Sequence, residues 1–372
     1  MSEHTRTSDD DSLEGDAVVA VGLVLAGVAL AGLLVPYRQG VDGPVVPAAV
    51  VVGALVVAVF LARRHAFVAR SIGAPVAATG SLALVLLAGY ALNQGVVGAV
   101  SLPVGSGTIP LVFVAFAAAG GAMGIAVADY AGVSAGGLKR RTGLTVELTI
   151  VGALGLVAGQ LVALPLAIPV FLLVEEPGTL LLSALGYLGF GLGVAVVTVG
   201  YLFFKGLDRS FIDLRVPTRR DLAWGVGGVV ALFAVALVIS IVMGLVGVES
   251  AEHSSIQEGQ ENPELLLYSI PFALLIIGPF EELLYRNVIQ KSMYGVFSRA
   301  GAVVVASVVF AAVHLFAYAT AGFGAIISSL AVVFTLSLLL GVLYERTENL
   351  VIPAAVHGVY NAIIFAIQFA AA

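Results

Sequence analysis

The chain has 372 residues, of which 60% are hydrophobic and only 11% charged, and its net charge is -6. Soluble domains carry about a quarter charged residues, so this balance excludes an ordinary soluble globular protein, and it offers no basic surface for nucleic acid. The absence of cysteine excludes disulfides and thiolate chemistry. What remains is an all-α polytopic membrane protein.

Residues 1–16 are polar and acid-rich, without the basic start of a cleaved signal peptide, and read as a disordered acidic tail. Apolar runs of membrane-crossing length then follow at 17–36, 44–62, 73–99, 109–128, 145–174, 179–204, 222–247, 265–290, 300–320, 323–344 and 350–370. A span needs about 20 apolar residues, so about 11 transmembrane helices are expected. With the N-terminus cytosolic, 16 of the 17 Lys and Arg residues fall on the cytosolic side and only Arg38 falls outside. Such a bias sets orientation. It predicts a multi-pass protein of the cell membrane with acidic outer loops at Glu175–Glu176 and Glu249–Glu264. Segment 17–247, about seven helices, carries little polar chemistry at depth. Asn93 and Gln160 read as interhelical hydrogen-bonding groups, and Asp129 and Glu147, near the basic loop Lys139–Arg141, as interfacial counter-ions.

Chemistry concentrates in residues 255–372. Gly278-Pro279-Phe280-Glu281-Glu282-Leu283-Leu284-Tyr285-Arg286 places two carboxylates and a guanidinium inside an apolar run. Ionisable groups at such depth are costly and need partners. On one α-helix Glu282 and Arg286 share a face and pair, while Glu281 points about 100° away and must find help on other helices. Two such helpers follow, since His314 lies one turn after Phe310, and Asn361 one turn after His357. Glu281 and an imidazole can take a proton from water. An imidazole and a carboxamide one turn apart can hold an oxyanion, and together these perform hydrolysis of an amide or ester. The pocket is expected below the cytosolic surface, opening there. The other histidines, His4, His65 and His253, read as residues of polar tails and loops.

Glu281-Glu282-x-x-x-Arg286, Phe310-x-x-x-His314 and His357-x-x-x-Asn361, in this order, resemble the three motifs of the CPBP intramembrane proteases. That family includes the type II CAAX prenyl endopeptidases and the Abi bacteriocin-processing and immunity proteins. The resemblance covers about a third of the chain and implies a catalytic four-helix core at the C-terminal end. It implies that Glu281 and His314 activate water, that His357 and Asn361 form the oxyanion hole, and that Glu282 with Arg286 supports the first helix. The substrate would be a membrane protein or lipidated peptide. A set of Glu281, His314 and His357 also suits zinc, but three separate helices and no H-x-x-x-H pair favour a metal-free site. The competing class is a non-catalytic binding or immunity protein, or a transporter, on the same helices.

Overall fold

The computed structural model describes residues 4–41, 43–101 and 108–372, with side chains from residue 17 onward. Of the expected tail, residues 1–3 lie outside the described ones, and α1 (His4–Arg38) begins directly after them. Three helices follow, α2 (Val45–Arg64), α3 (Arg70–Asn93) and α4 (Leu111–Tyr130), with a small antiparallel hairpin of β1 (Ala99–Ser101) and β2 (Thr108–Pro110) before α4. Next come α5 (Ala135–Leu173), α6 (Thr179–Lys205), α7 (Arg219–Val246) and the short α8 (Ser254–Glu261). The motif-bearing part comprises α9 (Pro263–Met293), α10 (Arg299–Val313), α11 (Phe323–Thr347) and α12 (Val351–Ala371).

Ten of these helices are long and apolar enough to cross a membrane. This is an all-α multi-pass membrane protein. The eleventh apolar run, 300–320, behaves differently, because its helix α10 has 15 residues and so is about 22 Å long, short of a bilayer core of about 30 Å. The reason lies at its end. After His314 the backbone turns, and its polar groups are met from elsewhere: Ser254 N–H donates to the Ala317 carbonyl at 2.8 Å, and the Thr320 hydroxyl to the Glu252 carbonyl at 2.6 Å. A non-helical stretch so satisfied can sit at membrane depth.

The chain forms two compact units, residues 1–142 with 248–250 and 323–328, and residues 143–247 with 251–322 and 329–372. In the first, α1–α4 pack through alanines such as Ala29, Ala88, Ala115 and Ala119, which let helix backbones approach closely. Asp129 there is a counter-ion of Arg63, through two hydrogen bonds of 3.0 and 3.1 Å. Asn93 joins Ser328 at 2.9 Å, as an interhelical hydrogen bond should. In the second unit Glu147 pairs with Lys205.

The second unit holds all three motifs, and two glycines position them. A Cβ on Gly278 of α9 would lie 2.6 Å from the Ala354 carbonyl oxygen and 2.7 Å from Gly358 N of α12; one on Gly358 would lie 2.8 Å from the Ala273 oxygen. The helices therefore cross backbone to backbone, three residues before Glu281 and one after His357. Around that crossing α9 is not a regular α-helix. Ala273–Ile277 and Leu283–Gln290 are π-helical, flanking one α-turn, Gly278–Glu282. Such insertions recur at functional sites, because they turn neighbouring side chains out of the regular register.

Candidate active site

Glu282 and Arg286 form the expected ion pair, with Arg286 Nε donating to Glu282 Oε2 at 2.7 Å and both side chains fully buried. Arg286 also donates to Ser337 Oγ of α11 at 3.0 Å and lies over the Phe310 ring at 5.0 Å. Glu282 has a second partner. His357 Nδ1 lies 2.9 Å from Glu282 Oε1, and because an ionised carboxylate only accepts, the imidazole donates. That bond sets the ring's orientation and leaves Nε2 3.7 Å from Glu281 Oε2. The Glu281 oxygen is buried and has no hydrogen-bond partner.

His314 is the C-cap of α10, and its Nδ1 meets the Phe310 carbonyl at 2.7 Å. A carbonyl accepts, so Nδ1 carries the proton and Nε2 of the neutral ring keeps a lone pair. The Phe310 ring ties the parts together. It lies 4.4 Å from His314, 6.0 Å from His357 and 4.9 Å, edge to face, from Tyr285, whose hydroxyl donates to the Gly152 carbonyl of α5.

Glu281, His314, His357 and Asn361 line one cavity of about 750 Å³. The motif helices do not enclose it alone, for Gln160 of α5, Tyr187 and Phe190 of α6 and Leu232 of α7 share the wall. Gln160 thus faces the cavity as well as lying on a packed helix. The cavity's direction differs from the expected one. Ser183, Glu252, Ser255, Glu258 and Gln368 line it at the acidic-loop end, and no residue of the basic stretch 286–299 does. The basic end is instead held by a staple. Asp213, in the connection 206–218, pairs with Lys291 at 2.7 Å, receives the Tyr344 hydroxyl, accepts from Leu350 N at its carbonyl and donates its own N–H to Asn287 Oδ1 at 2.8 Å. This connection is thereby tied to α9, α11 and the start of α12.

One cavity residue escaped sequence reasoning. His253, placed among the loop histidines, lines the cavity, with its ring edge-to-face on Tyr318 at 5.2 Å. Its Nδ1 accepts the Ser255 N–H at 3.2 Å, capping α8, so Nε2 carries the proton. Burial, with His314 nearby, pushes its pKa down to about 4. The available signal was His-Ser-Ser ahead of a short amphipathic segment, a capping pattern with no chemical signature.

Residues 263–363 match the family model described as type II CAAX prenyl endopeptidase Rce1-like. This stretch is of the CAAX protease family. No curated protein and no solved structure matches the chain. The CAAX-protease stretch spans all three motifs, from Glu281 to Asn361, and leaves His253 and helices α1–α8 outside the match. The family is one of intramembrane endopeptidases. Together with the membrane-length helices, the match supports an intramembrane peptidase in general, acting on a protein.

Among the described residues no three of His, Cys, Asp and Glu stand close enough together to hold a metal ion. His314 and His357 both have their Nδ1 atoms already bonded, which is the usual preparation of a histidine for a metal.

Proposed function

We propose that this chain hydrolyses a peptide bond of a membrane-associated protein or peptide by direct activation of water. The observation that carries this reading is that Glu281, His314, His357 and Asn361, from three helices, line one cavity, with a Glu281 oxygen buried and without a hydrogen bond. Water held by Glu281 and the free Nε2 of His314 attacks the scissile carbonyl carbon and leaves its proton on the glutamate. The carbonyl oxygen becomes an oxyanion, which accepts hydrogen bonds from the Asn361 amide and from His357. His357, already giving one N–H to Glu282, offers the second when its ring is doubly protonated, and Glu282 beside it balances that charge. The carbon–nitrogen bond then breaks, and the proton stored on Glu281 passes to the leaving amine. The products are a new carboxylate and a new amino terminus.

Removing one oxyanion donor typically costs a factor of about 10²–10³ in rate, and removing the base costs more. Replacement of Glu281 by Gln keeps the shape and deletes the base, so cleavage is expected to fall below a few per cent of wild type while the protein stays folded and inserted. Comparison of membrane-protein termini in cells carrying wild type or Glu281→Gln is the test, because termini present only with wild type name the substrate. Identical termini in both would overturn the reading and favour a binding protein or transporter.

A further inference from the structure

One polar side chain of α5 has no partner within the protein. Across residues 150–173 Gln160 is the only polar side chain of this helix, and it is also the only α5 residue that lines the cavity. The packed side of α5 is a stripe of glycines. A Cβ on Gly152 would lie 3.2 Å from the Tyr285 ring and one on Gly155 2.5 Å from the Leu284 side chain, so α5 runs antiparallel to α9. About one turn farther along α5, a Cβ on Gly159 would lie 3.0 Å from the Phe190 backbone of α6, and one on the adjacent Gly191 would lie 3.2 Å from the Phe280 ring of α9. Gln160 therefore stands at the depth of the turn Gly278–Glu282, which carries Glu281.

A glutamine that joins membrane helices bonds across their packed face. Gln160 lies about 100° round the helix from Gly159, its side chain is exposed, and its carboxamide makes no hydrogen bond among the described residues. A free amide at membrane depth is costly, and so is an extended peptide there, because its main-chain N–H and C=O groups have no helical partners. The two needs are complementary. A carboxamide offers one acceptor oxygen and two N–H donors, enough to meet both groups of a peptide main chain. We propose that Gln160 is a substrate-binding residue whose carboxamide pairs with the main chain of an extended segment lying beside Glu281. It reads no side chain, selects an extended segment over a helical one, and holds the scissile carbonyl in place against the attacking water. The assignment deepens the peptidase reading and rests on it for the ligand being a peptide.

Gln160→Met keeps the length of the side chain and removes its donors and acceptor. In detergent-solubilised full chain this variant is expected to melt at or above the wild-type temperature, because no internal bond is lost. A clear fall would make Gln160 an interhelical hydrogen-bonding group and overturn the proposal. Binding is then measured in the Glu281→Gln background, from the rise in melting temperature on titration. The probes are a lipidated octapeptide of alanine and valine with a free carboxylate, and its analogue in which three central amides are esters and so lack the N–H. The amide probe is expected to bind about tenfold more tightly than the ester, and added Gln160→Met to cut that preference about threefold or more, as a coupled pair requires. A preference that Gln160→Met leaves unchanged, no preference, or no binding of either probe overturns the proposal. Because neither measurement needs turnover, failure here is distinct from failure of the peptidase reading, which the Glu281→Gln termini comparison decides.

Discussion

His357 gives its Nδ1 proton to Glu282 across 2.9 Å, and through that bond a buried carboxylate joins the ion pair of α9 to the imidazole of α12. Glu282 is thus bonded on one oxygen to Arg286 and on the other to His357. Removing it does two separate things. Glu282→Ala strands a fully buried guanidinium, a loss of about 3–5 kcal/mol when a buried pair is broken, and also frees the His357 ring. The double change Glu282→Leu, Arg286→Leu is expected to recover much of the thermal stability but none of the cleavage. A double variant that melts no higher than Glu282→Ala would show that the pair does not carry the stability.

The crossing of Gly278 and Gly358 predicts a change that touches no polar group. Gly358→Ala puts a methyl 2.8 Å from the Ala273 carbonyl oxygen, so α9 and α12 must separate by several tenths of an ångström. Overpacking of this kind costs about 1–3 kcal/mol. Because His357 is the adjacent residue, cleavage should fall at least tenfold even at temperatures where the variant is folded. Wild-type turnover in a folded Gly358→Ala protein would show that the site tolerates slippage between these helices.

Much of this was legible in the sequence for a simple reason, that charges inside apolar runs are conspicuous. Every expected span but 300–320 appears as a membrane-length helix, because runs such as 222–247 need no tertiary information to be helical in lipid. The short α10 was not legible. Its stop at His314 depends on bonds from Glu252 and Ser254, sixty residues upstream, and an apolar run does not announce them. The π-helical stretches around Glu281 were equally hidden, since spacing arguments assume 3.6 residues per turn. His253 was hidden because a histidine in a polar loop looks the same whether it faces solvent or a cavity. The staple at the basic end was hidden for the same kind of reason, since Asp213 joins residues up to 137 positions apart.

That staple gives the next expectation. Asp213→Ala leaves Lys291 and Tyr344 without their shared acceptor and should lower stability by about 2 kcal/mol, in the range of hydrogen bonds to a charged group. Asp213→Asn, which keeps one acceptor oxygen, should lose less. Both should lower the melting temperature while leaving cleavage nearly intact well below it, since Asp213 does not line the cavity. A melt unchanged in Asp213→Ala would mean that the connection 206–218 is held by its backbone bonds alone.

His253 makes a prediction in pH. Its pKa is held at about 4 in the folded protein against an ordinary value of 6.5, chiefly by burial. The unfolded chain therefore binds the proton more readily, and stability rises with pH wherever the two states differ in protonation. The contribution of His253 should be lost as pH falls from about 6.5 towards 4. His253→Phe keeps a ring against Tyr318 and cannot titrate, so its melting temperature should fall less than that of wild type between pH 7 and pH 4.5. Parallel pH profiles for the two proteins would show that His253 is not the group that titrates.

The last expectation concerns metal, where the donor set and the geometry point in different directions. His314 and His357 each have Nδ1 bonded, and both line the cavity that Glu281 also lines; a bonded Nδ1 is how metal-binding histidines are prepared. Zinc would nevertheless need these atoms within about 2.0–2.2 Å of one point, and His357 is instead held back by Glu282 while no ligand-like cluster forms among the described residues. If Glu281 itself activates the water, purified protein should keep its cleavage after prolonged treatment with a strong chelator and removal of the chelate. Added zinc should not raise the rate, and at high concentration should lower it by occupying Glu281 and the histidines. Complete loss on chelation with recovery on stoichiometric zinc would reverse the assignment and make Glu281 a ligand in place of a base. Element analysis of the active preparation separates the outcomes without reference to rate, since a metal-free mechanism predicts full activity with far less than one zinc per chain.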